Sequence, residues 1–308
     1  NAQLLDAQTG AHLWADRYDG ATEDVFALQD EVVAQIVAAL RITLTVDEER
    51  TLATQGTEDL AAYELVKRGW WHYHHFNREN NELARSLFNR AIEADSGYAD
   101  AIAGLGFTYY EEWAQFWTQD PGNLDTVRAL ALASLELDSS RPGTYTLLSH
   151  AYLWTGQHDL AVAEMETAMA LDPDDPWILR DFAEVLVFSG RAEEAVSYAQ
   201  RAMELNPRYV ASFPFTLAFA YLDLGRHDEA IRVLDAALEL NPNYMPIPLL
   251  LVVSHMSLGN EDEARRYAAQ GLALNPQLTV DGLTSRMPFR DASLWEERAA
   301  LLRQAGIP

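Results

Sequence analysis

The sequence has 308 residues, and its 47 acidic residues exceed its 22 lysine and arginine residues by 25 (47 − 22). A surface this negative repels phosphate backbones, which disfavours nucleic-acid binding and favours a neutral or basic partner, unless the charge serves solubility alone. The chain has no cysteine, which excludes disulfides and thiolate metal sites, and no apolar run in it is long enough to span a bilayer.

The first 46 residues are predicted to form a short β-hairpin and a long helix. Gln3 to Leu5 and Ala11 to Ala15 have the composition of strands, with a turn at Gln8-Thr9-Gly10 between them. Thr22 is a predicted N-cap, and apolar residues recur at helical spacing from there to about Leu44. Because an isolated hairpin is marginal in water, these strands need a further surface to lie on.

A polar connector over residues 47–59 leads into two divergent helical hairpins. The first hairpin starts near Leu60, and the second contains an insertion at about Glu112 to Leu124. An insertion within one repeat maps to a loop on the surface of a stacked-repeat protein. Three aromatic residues in this loop are unusual for a solvated segment, which makes it a possible interaction site: Trp113, Phe116 and Trp117.

Four regular units then occupy Tyr145 to Pro276, and their glycines are 34, 35 and 34 residues apart: Gly156, Gly190, Gly225 and Gly259. An alanine follows each glycine after five residues, a second small residue after seven more and a proline after another five. The glycine can end one helix, the small residues let two helices cross closely, and the proline stops the second helix. Since one such pair cannot bury its apolar face alone, the units are predicted to stack.

After Pro276 the composition predicts an irregular segment as far as Arg290. An amphipathic helix should follow, with Asp291 or Ser293 as its cap and Gly306 near its end. A terminal helix of this kind is expected to cover the exposed end of a repeat stack.

The period near 34 residues and its punctuation resemble the tetratricopeptide repeat family. The resemblance implies an all-α fold: a right-handed superhelical solenoid of about six helical hairpins over residues 60–276. The short β-hairpin and long helix would precede it in residues 1–46, with 47–59 as the connector. Residues 277–308 would form a C-terminal linker and capping helix.

A second resemblance covers the start of the chain, in Ala2 to Gly10, His12 to Tyr18 and Asp24 to Glu31. These runs look like the end of the TolB-like α/β domain that precedes tetratricopeptide repeats in many bacterial class III adenylate/guanylate cyclases. The same module also follows DNA-binding domains in some transcriptional regulators of the CadC type. The resemblance implies an effector domain further towards the N-terminus, and a chain that starts at Asn1 without methionine is what a fragment would show.

In this family the first helix of each pair lines the concave surface, where ligands usually lie. The outward positions of those helices predict a face for binding a protein or peptide segment, rich in large aromatic residues that dominate binding hot spots. The alternative is that individual side chains pack between neighbouring repeats. The predicted residues are Tyr63, Trp70, Tyr73, His74, Phe107, Tyr110, Glu111, His150, Trp154, Trp177, Arg180, Glu184, Phe215 and Phe219. The same helices also present Phe188, Asp223, Leu249 and Met256.

Other chemistries find less support in the residues. The family's carboxylate clamp of lysines and asparagines is replaced here by residues such as Thr146 and His150, so a peptide gripped by apolar and aromatic contacts is expected instead. His72 and His75 share a helix face, but no further ligand stands at an obvious spacing, so no metal is predicted. No phosphate loop, dinucleotide motif or nucleophile elbow occurs, and neither a cofactor nor catalysis by this chain is predicted.

Three hypotheses follow for function. The first is a non-catalytic interaction module, the regulatory or sensory part of a bacterial signalling protein with a cyclase-like parent, with the CadC-type regulator as an alternative parent. The second is a structural platform that forms a homodimer through the N-terminal hairpin or the aromatic insertion, which sedimentation at several concentrations would detect. The third is enzymatic, a cyclase activity implied by resemblance alone. The compartment cannot be derived from the residues, and a cytoplasmic location is favoured.

Overall fold

The computed structural model describes residues 2–5, 12–16, 56–120 and 122–308. Two short strands, β1 (Ala2–Leu5) and β2 (His12–Asp16), pair in antiparallel fashion with Leu4 opposite Trp14. The predicted turn between them, the long helix to residue 44 and most of the connector lie outside the described residues. The N-terminal hairpin-and-helix unit, and its likeness to a TolB-like domain, therefore stay predictions.

The part of the chain from residue 56 onward is helical. Its helices are α1 Leu60–Tyr73, α2 Arg78–Ala94, α3 Ala99–Ala114, α4 Gly122–Leu137, α5 Pro142–Trp154, α6 His158–Leu171, α7 Pro176–Phe188, α8 Ala192–Leu205, α9 Ser212–Asp223, α10 His227–Leu240, α11 Pro246–Ser257, α12 Glu261–Leu274, α13 Val280–Thr284 and α14 Ala292–Gln304. None of these described helices is long and apolar enough to cross a membrane.

The first twelve helices form six consecutive hairpins, α1/α2 through α11/α12, as predicted. The first helices of neighbouring hairpins contact each other directly, α1 with α3, α3 with α5 and onward to α11, whereas each second helix makes most of its contacts with its own partner and with the helix that follows. The first helices therefore form the inner layer of a solenoid. We call the surface they present to its interior the concave face. The right-handed sense of the superhelix stays a prediction.

The repeated small residues lie where the prediction places them. The four glycines follow the first helices of the regular hairpins with φ between 69° and 78°, a conformation that costs a residue with a Cβ. The alanines five residues later are completely buried at the helix crossings: Ala161, Ala195, Ala230 and Ala264. Each second helix ends two residues before its proline, as at Leu171 before Pro173.

The divergent hairpins are held together by a different close contact. Phe88 of α2 is completely buried, and its ring lies against Gly69 of α1 and Gly104 of α3. A Cβ built on Gly69 or Gly104 would come within 2.7 Å or 2.3 Å of that ring. Real carbon atoms do not approach so closely, so glycine at these two positions is what allows one phenylalanine to join three helices.

We expect Gly190→Ala to lower the free energy of unfolding by about 1–2 kcal/mol, because alanine is strained at the left-handed φ of 78° found there. Gly143→Ala, inside helix α5, is the matched control and should raise stability by about 0.5–1 kcal/mol. Neither added methyl group would meet an atom within 4 Å, so the comparison isolates the backbone term. Urea unfolding of both variants measures it, and equal losses would contradict the assignment.

A candidate binding cavity on the concave face

The concave face encloses a cavity of about 120 Å³. Its wall takes side chains from the first helix of every repeat: Tyr73, Tyr110, Trp154, Arg180, Phe219 and Leu250. The C-terminal segment, residues 277–308, supplies the rest, with Phe289, Trp295 and Arg298 among its contributions. The C-terminal segment thus narrows the interior of the solenoid to a small chamber that remains partly open to solvent.

Aromatic contacts between distant repeats close this chamber at the first hairpin. The His74 ring stacks on Trp177 of the fourth hairpin, with ring centroids 3.8 Å apart. The ring centroids of Phe76, in the turn after α1, and Tyr244, which precedes α11, are 5.9 Å apart. Burial lowers the pKa of His74 to about 3, so the imidazole is neutral in this stack near neutral pH.

The C-terminal segment closes the opposite side. The ring centroid of Phe289 lies 4.9 Å from that of Phe188 and 5.8 Å from that of Phe219. The Arg290 backbone N–H donates a hydrogen bond of 2.9 Å to the Phe188 carbonyl. Helix α14 packs on α11. The concave face is therefore occupied by the chain's own residues.

A buried ion pair fixes helix α14 to the fifth repeat. Arg298 of α14 binds Asp223 of α9, and the two side chains are 6 % and 3 % exposed. The Arg298 guanidinium also lies 4.9 Å from the centre of the Phe289 ring and 5.3 Å from that of Phe219. Cationic side chains over ring faces are attracted by the ring quadrupole, which adds to the ion pair.

The aromatic insertion faces inward, not outward as predicted for a surface loop. The Arg286 guanidinium lies 4.3 Å from the Trp113 ring centre and 5.1 Å from that of Phe116. It also donates to the carbonyls of Trp113, at 3.4 Å, and Thr118, at 2.6 Å. Trp113 is only 8 % exposed as a result. The insertion and the C-terminal segment bind each other.

Two phenylalanines on the cavity wall have left-handed backbones. Phe116 has φ 59° and Phe76 has φ 49°, and both line the chamber. Phe116 stands two residues after the last residue of α3, the place that Gly156 holds after α5. A bulky residue at positive φ is strained by about 1–3 kcal/mol and persists only where its surroundings enforce it. Phe116 thus stands where the regular repeats have glycine, and its ring forms part of the cavity wall.

Three charged side chains of α7 are clustered in the interior, one arginine with two carboxylates. Arg180 binds the carboxylates of Asp181 and Glu184, the latter at 3.3 Å. Burial alone would raise the pKa of Asp181, but the adjacent Arg180 guanidinium holds it below its usual range. Burial raises the pKa of Glu184, against the opposing effect of Arg180. His150 lies against Asp181, with 3.7 Å between Nε2 and Oδ1, and stacks on Tyr110 with 4.1 Å between ring centroids.

Glu111 of α3 has the least compensated charge in the chamber. It is 2 % exposed, and the Tyr73 hydroxyl donates a long hydrogen bond of 3.4 Å to its Oε2. Its Oε1 is buried without a hydrogen-bond partner. Burial raises the pKa of this carboxyl to about 7, against the smaller opposing effect of the neighbouring Gln115 side chain. The side chain is therefore poised between its neutral and charged forms near neutral pH.

All the residues predicted to form the binding face are buried or half-buried in the structure. Buried members of the predicted set are Tyr73, Phe107, Tyr110, Glu111, Trp113, His150, Arg180 and Phe219. Half-buried members are Tyr63, Trp70, His74, Trp154, Trp177, Glu184, Phe215, Phe116 and Trp117. Their role in binding stays a prediction.

The chamber brings together nine of these residues: Tyr73, Tyr110, Glu111, Phe116, Trp154, Arg180, Glu184, Phe215 and Phe219. Trp70 and Phe107 pack instead with Phe88 between the first two repeats, as the alternative for single side chains anticipated. Sequence reasoning missed Phe76, Tyr244 and Phe289, which lie outside the regular helices. The sequence does contain a signal for Phe76 and Phe116. In both divergent hairpins a phenylalanine follows the first helix, where the regular units have glycine.

The histidines considered as metal ligands are engaged elsewhere. His72 Nδ1 lies 2.7 Å from the Asn80 side-chain oxygen, and His75 Nδ1 lies 2.8 Å from the Trp71 carbonyl. Within the part of the chain that the structure describes, no group of three or more histidine, aspartate or glutamate side chains is arranged to hold a metal ion.

Comparison with known proteins agrees with this architecture. The family model described as Tetratricopeptide repeat matches residues 155–213 and 215–286. The chain is 38% identical over 162 residues to "Putative adenylate cyclase 3" of Rhizobium meliloti (strain 1021). That match covers 52% of this chain but only 28% of the relative, so the chain spans a minor part of the relative's length.

Solved structures show the same fold at low identity. A chain of the APC/C hetero-tetramer Cut9–Hcn1 is 18% identical, with 90% of this chain and 52% of that chain covered and a TM-score of 0.57. A human IFIT1 dimer with PPP-AAAA is 17% identical, with 70% and 50% covered and a TM-score of 0.56. At these identities the likeness concerns the fold alone. The chain carries tetratricopeptide repeats, stacked in an all-helical solenoid of the kind that serves as a protein-interaction scaffold.

Proposed function

We propose that this chain is a non-catalytic regulatory module of a bacterial multidomain signalling protein with a cyclase-like parent. The similarity to a putative adenylate cyclase, which extends over 52% of the chain, is the observation that carries the parent assignment. Tetratricopeptide repeats are interaction modules, which supports the binding role.

The partner in this proposal is a neutral or basic protein segment that takes the place of the C-terminal segment. That segment contacts the concave face through Arg286, Phe289 and Arg298. Aromatic and arginine side chains are the anchors that dominate protein interfaces. A partner with similar anchors would reach the predicted concave-face residues, and the exchange would alter the state of an attached effector domain.

The test uses the complete protein that contains this chain, with cyclic AMP and cyclic GMP measured. Phe289→Ala should loosen the C-terminal segment and change cyclic nucleotide output by at least about fivefold, the lower range of allosteric coupling. Leu160→Ala, at a side chain 46 % exposed on α6, is the control and should leave output unchanged. No cyclic nucleotide from the complete protein would contradict the cyclase-like parent, and production by residues 1–308 alone would contradict the non-catalytic assignment.

A further inference from the structure

We propose that the cavity on the concave face binds a small primary ammonium ion with a compact apolar body. This site shares its wall with the C-terminal segment discussed above, but ligand binding there does not require that segment to be exchanged. Three observations carry the proposal: a buried carboxylate oxygen without a partner, an aromatic wall around it, and strained backbone at two of the wall residues.

The unpartnered carboxylate sets the charge of the ligand. Glu111 Oε1 is buried on the chamber wall without a hydrogen-bond partner. Two guanidinium groups lie on the same wall, and both are already paired, Arg180 with Asp181 and Glu184 and Arg298 with Asp223. An ammonium N–H donor would satisfy the free oxygen. A buried acceptor without a hydrogen bond costs about 1–3 kcal/mol, which a hydrogen bond from a ligand would recover.

The aromatic wall fits the same ligand. Tyr73, Phe76, Tyr110 and Phe116 lie on the wall with Glu111, and further rings complete it from α9 and the C-terminal segment. Ring faces attract an ammonium group, and the attraction grows when the group is removed from water. An anionic ligand would instead meet the charge of Glu111 and the electron-rich ring faces.

The volume limits the ligand to a small molecule. A cavity of about 120 Å³ is close to the roughly 150 Å³ of an engineered apolar cavity that binds benzene. Trp154 and Trp295 on the wall are only half-buried, which leaves that side in contact with solvent and gives a path of entry.

The left-handed backbones of Phe76 and Phe116 are the third observation. Strain at non-glycine residues accumulates at ligand sites, where the surrounding structure enforces it. Both strained residues place their rings on this cavity. Glycine occupies the equivalent place in each of the four regular repeats, so the departure is confined to the hairpins that form the chamber's aromatic end.

Calorimetric titration of the whole chain with benzylamine tests the proposal, with benzyl alcohol and benzoate as neutral and anionic ligands of matched shape. Benzylamine should bind at least about tenfold more tightly than either, the ratio that corresponds to loss of one charge-assisted hydrogen bond. Glu111→Gln should weaken benzylamine binding by at least about tenfold and leave benzyl alcohol unaffected. Glu136→Gln, at an exposed residue of α4, is the control and should change neither.

Circular dichroism verifies that each variant is folded. Failure of benzylamine to bind, equal binding of benzyl alcohol, or unchanged affinity in the Glu111→Gln variant would each overturn the proposal. Tighter binding of a lysine-containing peptide than of benzylamine would assign the carboxylate to a protein side chain and would also overturn it.

Discussion

Replacement of Arg298 by alanine is expected to destabilise the C-terminal segment by about 3–5 kcal/mol, because it leaves the Asp223 carboxylate buried without its counter-ion. Both side chains of this pair are less than a tenth exposed, so water cannot take over the role of the guanidinium. The contacts of Arg298 with Phe219 and Phe289 are lost at the same time. Native-state hydrogen exchange on α14, with urea unfolding of the whole chain, measures the loss.

The control for this prediction lies on the same helix. Arg303 pairs with Asp281, but the two side chains are 51 % and 90 % exposed, and Arg303→Ala should cost less than about 1 kcal/mol. A double variant, Asp223→Leu with Arg298→Leu, removes both charges and should recover most of the stability lost in Arg298→Ala. Similar losses for Arg298→Ala and Arg303→Ala would show that burial of the pair contributes little.

The repeat architecture was predictable from sequence because each of its rules is local. Glycine after a first helix, alanine at the crossing and proline after a second helix act within one hairpin, so a single unit such as Gly156 to Pro173 contains the information. The same rules found the divergent hairpins through Gly69 and Gly106. What they cannot give is the accumulated rotation from the first repeat to the sixth, since small angles between neighbours add along the stack.

The cavity could not be predicted because its shape depends on that accumulated rotation and on contacts between residues distant in sequence. Eight of the predicted concave-face residues, with Phe116 of the predicted insertion loop, do meet at the chamber, where the C-terminal segment lies against them. The contact of Arg286 with the carbonyl of Thr118 joins residues 168 positions apart, and no local pattern announces it. The C-terminal helix was expected to cover the end of the stack, whereas Phe289 and Arg298 also fill its interior.

The titration of Glu111 gives the second large effect expected of this protein. Burial raises the pKa of this carboxyl from 4.5 to about 7, so the folded chain holds a proton that the unfolded chain has released between those values. The contribution of Glu111 to the free energy of unfolding therefore falls as pH rises from 4.5 to about 7; it is complete below that range and lost above it. At about 1.4 kcal/mol per pH unit, the fall amounts to about 3 kcal/mol.

Other groups that face Glu111 titrate as well, so the wild-type curve alone does not isolate its contribution. Tyr73 and Tyr110 stay neutral because their pKa values are raised well above the usual range. Burial is the larger cause, and neighbouring carboxylates add to it. Glu184 has a raised pKa and acts in the same direction as Glu111. Asp181 has a lowered pKa, so its contribution is instead lost as pH falls. The difference between the wild type and a Glu111→Gln variant cancels these shared terms.

Glutamine has the shape of the protonated carboxyl but cannot ionise. Glu111→Gln should match the wild type within about 0.5 kcal/mol below about pH 5 and exceed its stability by about 2–3 kcal/mol at about pH 8. Glu136→Gln, at an exposed residue, should follow the wild type throughout. Urea unfolding at the two pH values measures both, and parallel curves for wild type and Glu111→Gln would contradict the raised pKa. Since the charged carboxyl lowers stability, a ligand that binds this charge should raise the free energy of unfolding at about pH 8, which connects this measurement to the ammonium site.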